Sequence, residues 1–143
     1  MGHADAYDFM LGLAQSENLV VTEEMITRLH GLFYNRIDSA NAGYYRDHQV
    51  IITGTEYMPP APEKIPALMA DLTMELKERT GKLHPALLAA YAHRRLADIH
   101  PFADGNGRTA RLLMNMLLIN KGYCVVSIPP VLRIDYISAL RTA

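Results

Sequence analysis

Disulfides are excluded at the outset. Cys124 stands alone in a chain of 143 residues, so no internal bridge can form and packing must hold the fold. A lone thiol also suits a reducing compartment. Charge of one sign is lacking too: the formal net charge is −1, which gives no electrostatic case for nucleic acid or an anionic membrane as the main partner. The longest apolar run, 112–119, is broken by Asn115 and is too short to span a bilayer. The opening residues, MGHADAYDF, have neither the basic start nor the apolar stretch of a signal peptide. Repeats, low-complexity tracts, charge blocks and linkers are missing as well. With half of its residues hydrophobic, the chain reads as one globular domain, 1–143, with a single core and a cytoplasmic setting.

Helical periodicity is what the chain does have. A short pattern covers 4–13. Thr22 makes a good N-cap before Glu23 and Glu24, and Met25, Ile26, Leu29, Leu32 and Phe33 follow along one face. His30 within it reads as a satisfied helix residue. Pro62 opens a third pattern whose stripe is Ile65, Leu68, Met69, Leu72 and Leu76, closed by Gly81, with Asp71, Glu75, Lys77, Glu78 and Arg79 turned to water. Pro85 opens a helix to about Ile99 whose first half is nearly apolar all round, the mark of a central buried helix. Another runs from the Gly105-Asn106-Gly107 triplet to Gly122. CVVSIPP is an extended connection, and a last helix starts at Arg133. Between 41 and 60, aromatic and β-branched residues bounded by Gly43, Gly54 and Pro59-Pro60 predict a short β-hairpin or extended flap.

The densest chemistry lies in 100–111, HPFADGNGRTAR. A helix that begins within GNG has first N–H groups without intrahelical partners. Glycine lets a ligand approach them closely, and the helix dipole adds positive charge. Such a start is an anion cradle suited to phosphate. Arg108 and Arg111, three apart, share one face near it, so a polyphosphate fits better than a single phosphate. Asp104 at the mouth would repel an anion unless a hard cation such as Mg²⁺ bridges them. An imidazole such as that of His100 can take a proton from an attacking hydroxyl. Pro101 ends the preceding helix and Phe102 anchors the turn. Taken singly, Asp104 could be an N-cap, the arginines a solvated face and His100 a helix-end residue. Those roles do not explain the clustering.

This stretch resembles the Fic family signature, HPFx(D/E)GNGRxxR, at every specified position. The resemblance implies an all-α helical bundle of about six to eight helices with one small β-hairpin flap. It implies transfer of AMP from ATP to a Tyr, Ser or Thr hydroxyl of a target protein, with release of pyrophosphate. By the same resemblance His100 is the general base and Asp104 a Mg²⁺ ligand. Gly105, Asn106 and Gly107 form part of an anion hole, Arg108 and Arg111 hold phosphates, and Tyr136 lines the adenine pocket. Relatives that phosphorylate replace the second motif glycine with lysine; here Gly107 is kept, which favours nucleotidyl transfer. The flap, Ile52, Thr53, Gly54 and Thr55, would dock the target segment by strand-like pairing.

Other functions fit the same grip on phosphate: transfer of UMP or phosphocholine, an inactive nucleotide-binding regulatory module, or the toxin half of a toxin–antitoxin pair. Many Fic proteins carry an inhibitory (S/T)xxxE(G/N) helix whose glutamate meets the second motif arginine, here Arg111. In this sequence Glu17 precedes Asn18, but Leu13 stands four before it, so that motif is not present. The expectation is a single Fic domain truncated at one or both ends, with the inhibitory helix supplied by another segment or an antitoxin partner.

Overall fold

The computed structural model describes residues 2–123. Tyr136, the CVVSIPP connection and the helix expected from Arg133 lie outside the described residues. Among the described residues the regular elements are helical: α1 (Gly2–Ala14), α2 (Glu23–Tyr34), a 3-10 turn (Pro62–Lys64), α3 (Ile65–Arg79), α4 (Pro85–Ile99) and α5 (Asn106–Asn120).

Local chemistry sets most of these boundaries. Thr22 is extended, and its hydroxyl accepts from the Met25 N–H at 3.2 Å, satisfying a donor that the first turn of α2 leaves open. Proline starts both α3 and α4, where its missing N–H costs nothing. His84 completes the α4 start by accepting from Ala86 N–H through Nδ1 at 3.1 Å. Gly81 and Gly122 follow α3 and α5 with φ of 83° and 86°, a backbone that residues with a Cβ rarely adopt.

The central helix is α5, not α4. Residues 112–118 of α5 are buried without a break, and the helix packs on α4, α1 and α2 while α3 closes against α4. The apolar first turn of α4 is instead partly in water, with Leu87 61% exposed. Its apolarity up to Ala92 reflects small alanines as much as a covered face. On α2, Ile26, Leu29, His30, Phe33 and Tyr34 are buried, whereas Met25 and Leu32 are only partly covered. Glu75, expected in water, is half-buried and accepts hydrogen bonds from Tyr91 Oη and, at 3.1 Å, from Arg95 Nη2. It is the polar seam between α3 and α4.

The expected hairpin is corrected. No strand occurs in 41–60; a turn at Thr53-Gly54, with Gly54 at φ 89°, is what remains of it. A two-stranded ribbon is marginal by itself. Side chains tie this loop instead: Gln49 Nε2 donates to Pro59 O at 2.9 Å, Arg46 Nη2 to Pro60 O at 2.6 Å and Tyr57 Oη to Asp98 O at 2.9 Å.

Candidate active site

Helix α4 ends on His100, whose N–H still reaches Leu96 O at 3.0 Å while its own backbone turns left-handed, φ 51° and ψ 57°. It is the one non-glycine residue with positive φ among those described. Such a conformation costs roughly 1–3 kcal/mol and persists only when neighbours over-determine it. His100 Nδ1 lies 3.2 Å from Ala97 O. A carbonyl can only accept, so the neutral ring carries its proton on Nδ1, and Nε2 is the basic nitrogen.

Three side chains fix the loop between α4 and α5. Asn106, buried at the α5 start, accepts from Phe102 N–H at 2.9 Å and donates to Phe102 O at 2.8 Å. Its side chain is therefore spent on the loop, and what it offers a ligand is its main chain. His30 of α2 accepts from Gly43 N–H at Nδ1 (3.0 Å) and donates from Nε2 to Asp104 O (2.8 Å), and its ring stacks on Phe102 with centroids 3.9 Å apart. Burial lowers its pKa against the opposing pull of the bond to Asp104 and of that carboxylate's charge. It serves as a neutral strut.

Arg46 is the third. Its Nε donates to His100 O at 2.7 Å and its main-chain N–H to Pro101 O at 2.8 Å. Burial pushes its pKa down, yet a guanidinium keeps its charge in proteins.

Gly105 caps α5 with φ 82° and no side-chain bond. An added Cβ there would stand 3.0 Å from Phe33 Cζ and 3.3 Å from His30 Cδ2, so the position admits glycine alone on two counts. Asp104 is exposed, and its Oδ1 accepts from Gly105 N–H at 2.8 Å, not from an N–H of the helix. The N-cap reading of Asp104 is thereby replaced. Tyr34 lines the same cleft: burial first, then the nearby Asp104 and Asp38 charges, raise the phenol's pKa.

These pieces surround one cleft of about 290 Å³, lined by His100, Asp104, Gly105, Asn106, Gly107, Arg108 and Arg111 together with Phe33, Tyr34 and Ile37. The guanidinium of Arg108 lies 5.9 Å over the Phe33 ring, and Arg111 Nη1 would be 3.4 Å from a Cβ on Gly107, so it folds back over the first turn. The polar residues at the specified positions of the motif, from His100 to Arg111, thus line one cleft. Ile52, Thr53, Gly54 and Thr55 do not line the cleft; Thr53 to Thr55 are exposed and Ile52 half-covered. The sequence puts Phe33 and His30 on a helix and carries no sign of their link to the motif. Tyr34, Ile37 and Arg46 carry no sequence signal, since the motif they meet is distant in the chain.

A basic nitrogen, a carboxylate, exposed helix-start amides and two guanidiniums in one cleft are the equipment of a phosphate-handling site. The Fic/DOC family profile matches residues 20–118, and the chain belongs to that family. It is 41% identical over 128 residues to a protein named Protein adenylyltransferase Fic from Drosophila persimilis, covering 89% of this chain and 25% of that protein. The chain therefore spans about a quarter of the length of the curated relatives it matches. Among solved structures, a Fic domain containing signaling protein from Bacteroides thetaiotaomicron superposes with a TM-score of 0.87 at 31% identity, covering 98% of this chain and 54% of that one. Fic-1 from C. elegans gives 0.84 at 31% identity, covering 99% and 42%.

Proposed function

We propose that this chain is the catalytic domain of a protein adenylyltransferase, transferring AMP from ATP to a hydroxyl side chain of a target protein. The observation that carries the reading is His100, whose Nδ1–H is committed to Ala97 O and whose ring lines one cleft with the uncapped start of α5. The name and identity of the relatives support it.

In this reading a Tyr, Ser or Thr hydroxyl gives its proton to Nε2 of His100 as its oxygen attacks the α-phosphorus. The new O–P bond forms while the bond from that phosphorus to the bridging oxygen breaks, and pyrophosphate leaves with the electron pair. The first N–H groups of α5, Arg108 and Arg111 meet the departing charge. Catalysis is positioning and charge stabilisation. Tyr136 would line the adenine side of the pocket, as the family resemblance implies.

Mg²⁺ fits this donor set. Magnesium keeps several waters and takes one or two carboxylates with substrate phosphates, and Asp104 offers one exposed carboxylate at the cleft, held by Gly105 N–H. No cluster of three or more His, Cys, Asp or Glu exists among the described residues, and this binding mode needs none. The ion would supply charge neutralisation of the phosphates. Asp104→Asn is expected to lower Mg²⁺-dependent transfer at least about tenfold, removing a charged ligand, with the urea midpoint barely changed because no helix N–H is capped by Asp104. Full activity in this variant would remove Asp104 from metal binding.

Exposed Thr53, Gly54 and Thr55 would offer their main chain to an extended target segment, with Ile52 beside them. Ile52→Asp is expected to raise the target KM several-fold and leave ATP binding unchanged; equal losses in both would make the loop merely structural. An inhibitory helix or antitoxin chain would act by placing a glutamate against Arg111. No helix among the described residues is long and apolar enough to cross a membrane; a cytoplasmic setting belongs to the proposal.

The test is incubation with ATP, Mg²⁺ and a host lysate, followed by mass analysis of modified peptides. An AMP adduct on a hydroxyl residue is expected. A UMP or phosphocholine adduct, or ATP binding with no adduct, would favour the other readings.

A further inference from the structure

The Arg46 side chain is buried, at 4% exposure, and every hydrogen bond described for it goes to a main-chain carbonyl. Its acceptors fall in two groups. One is the end of α4: His100 O at 2.7 Å and Ile99 O at 3.4 Å, joined by the bond from Arg46 main-chain N–H to Pro101 O at 2.8 Å. The other is the two ends of the loop that carries Thr53-Gly54: His48 O at 3.0 Å and Pro60 O at 2.6 Å. Tyr57, inside that loop, adds a bond to Asp98 O, again at the end of α4.

A buried cation needs an opposing charge, and the C-terminal carbonyls of α4 supply it, since they carry the negative end of the helix dipole. The same carbonyls belong to the residue that most needs restraint. His100 is left-handed and precedes Pro101, where the preceding residue favours extended backbone. Its strained conformation aims the imidazole, and the planar, five-donor guanidinium is the group that can hold several carbonyls at fixed angles; the point charge of lysine cannot.

We infer that Arg46 is a positioning residue that locks the backbone of His100 and closes the base of the target-facing loop with one guanidinium, so that loop and base move as a unit. The inference rests on the proposed transfer reaction for its kinetic part only. It makes the geometry of the general base depend on whether the loop is seated, without any contact between Arg46 and substrate.

Arg46→Lys tests it with steady-state kinetics and amide exchange on the same samples. Misplacement of a reacting group by about 1 Å can cost 10²-fold in rate, so the expected loss in kcat is about tenfold to a hundredfold. The KM for ATP should stay within about twofold, because the α5 start is untouched. Exchange in 49–59 and at His100 N–H should accelerate together. Unchanged kcat, or a KM effect alone, would overturn the inference; so would faster exchange in only one of the two places. Should the variant not fold, native-state exchange of the unaltered protein decides. The Arg46 and His100 amides, both hydrogen-bonded, should open with the same denaturant dependence, and separate openings would overturn it. Since exchange requires no turnover, an inactive wild type would count against the transferase reading while leaving the coupling open to this measurement.

Discussion

His100→Ala is expected to lower AMP transfer by about 10²–10⁴-fold, the usual contribution of a general base, with ATP affinity nearly unchanged. The imidazole is oriented by its environment: Nδ1–H goes to Ala97 O, which makes Nε2 the basic nitrogen of the neutral ring. The groups proposed to hold the phosphates, Arg108, Arg111 and the first N–H groups of α5, belong to a different helix from His100. Ground-state binding should therefore survive removal of the ring. The fold should survive too, because alanine can replace a half-buried side chain whose described hydrogen bond is local. Single-turnover labelling and equilibrium ATP binding on the same variant check both halves. Wild-type rates would show that some other group takes the proton, and a parallel loss of ATP affinity would show that His100 contacts the nucleotide in the ground state.

Gly105→Ala should be strongly destabilising for the addition of one methyl group. Left-handed backbone costs an L-residue roughly 1–2 kcal/mol. The new methyl would also meet the ring of Phe33 at 3.0 Å, with His30 behind it, an overpacking that costs about 1–3 kcal/mol. Together these predict a loss of about 2–5 kcal/mol, read from the urea midpoint. Phe33 cannot yield freely, since it is buried and lies beneath Arg108. Gly107→Ala is the matched control. Its methyl would meet only Arg111 Nη1 at 3.4 Å, and alanine is the better helix former by about 1 kcal/mol, so stability should hold or rise. A Gly105→Ala protein as stable as wild type would mean that the loop can adopt another backbone.

The two glycines also show what sequence reading reaches. A contiguous motif between helices is legible, because HPFADGNGRTAR contains its own stop, turn and start signals. The starts of α2 and α4 were legible for the same reason: Thr22 and Pro85 act within one turn of themselves. Arg46 and His30 were not, because the first acts on carbonyls about 54 residues away and the second on one 74 away. Nothing local distinguishes an arginine that faces water from one that caps a distant helix. The hairpin failed differently. Val50, Ile51 and Ile52 have strand propensity, but propensity describes a pleated, half-buried surface, and Ile51 has no such surface, being 76% exposed. The expectation of a central buried helix at 85–99 rests on apolar content alone. The alanines of α4 are as compatible with a partly wet helix as with a buried one, whereas the Leu and Met run of α5 needs cover on every side.

Labelled ATP decides whether the transferred group is AMP. Samples of wild-type protein with Mg²⁺ and a host lysate receive ATP carrying the label on the α-phosphate or on the γ-phosphate. Stable protein-bound label from the α position, lost in His100→Ala, together with none from the γ position, is the predicted result. Label arriving from the γ-phosphate would make this a phosphoryl transferase and contradict the account.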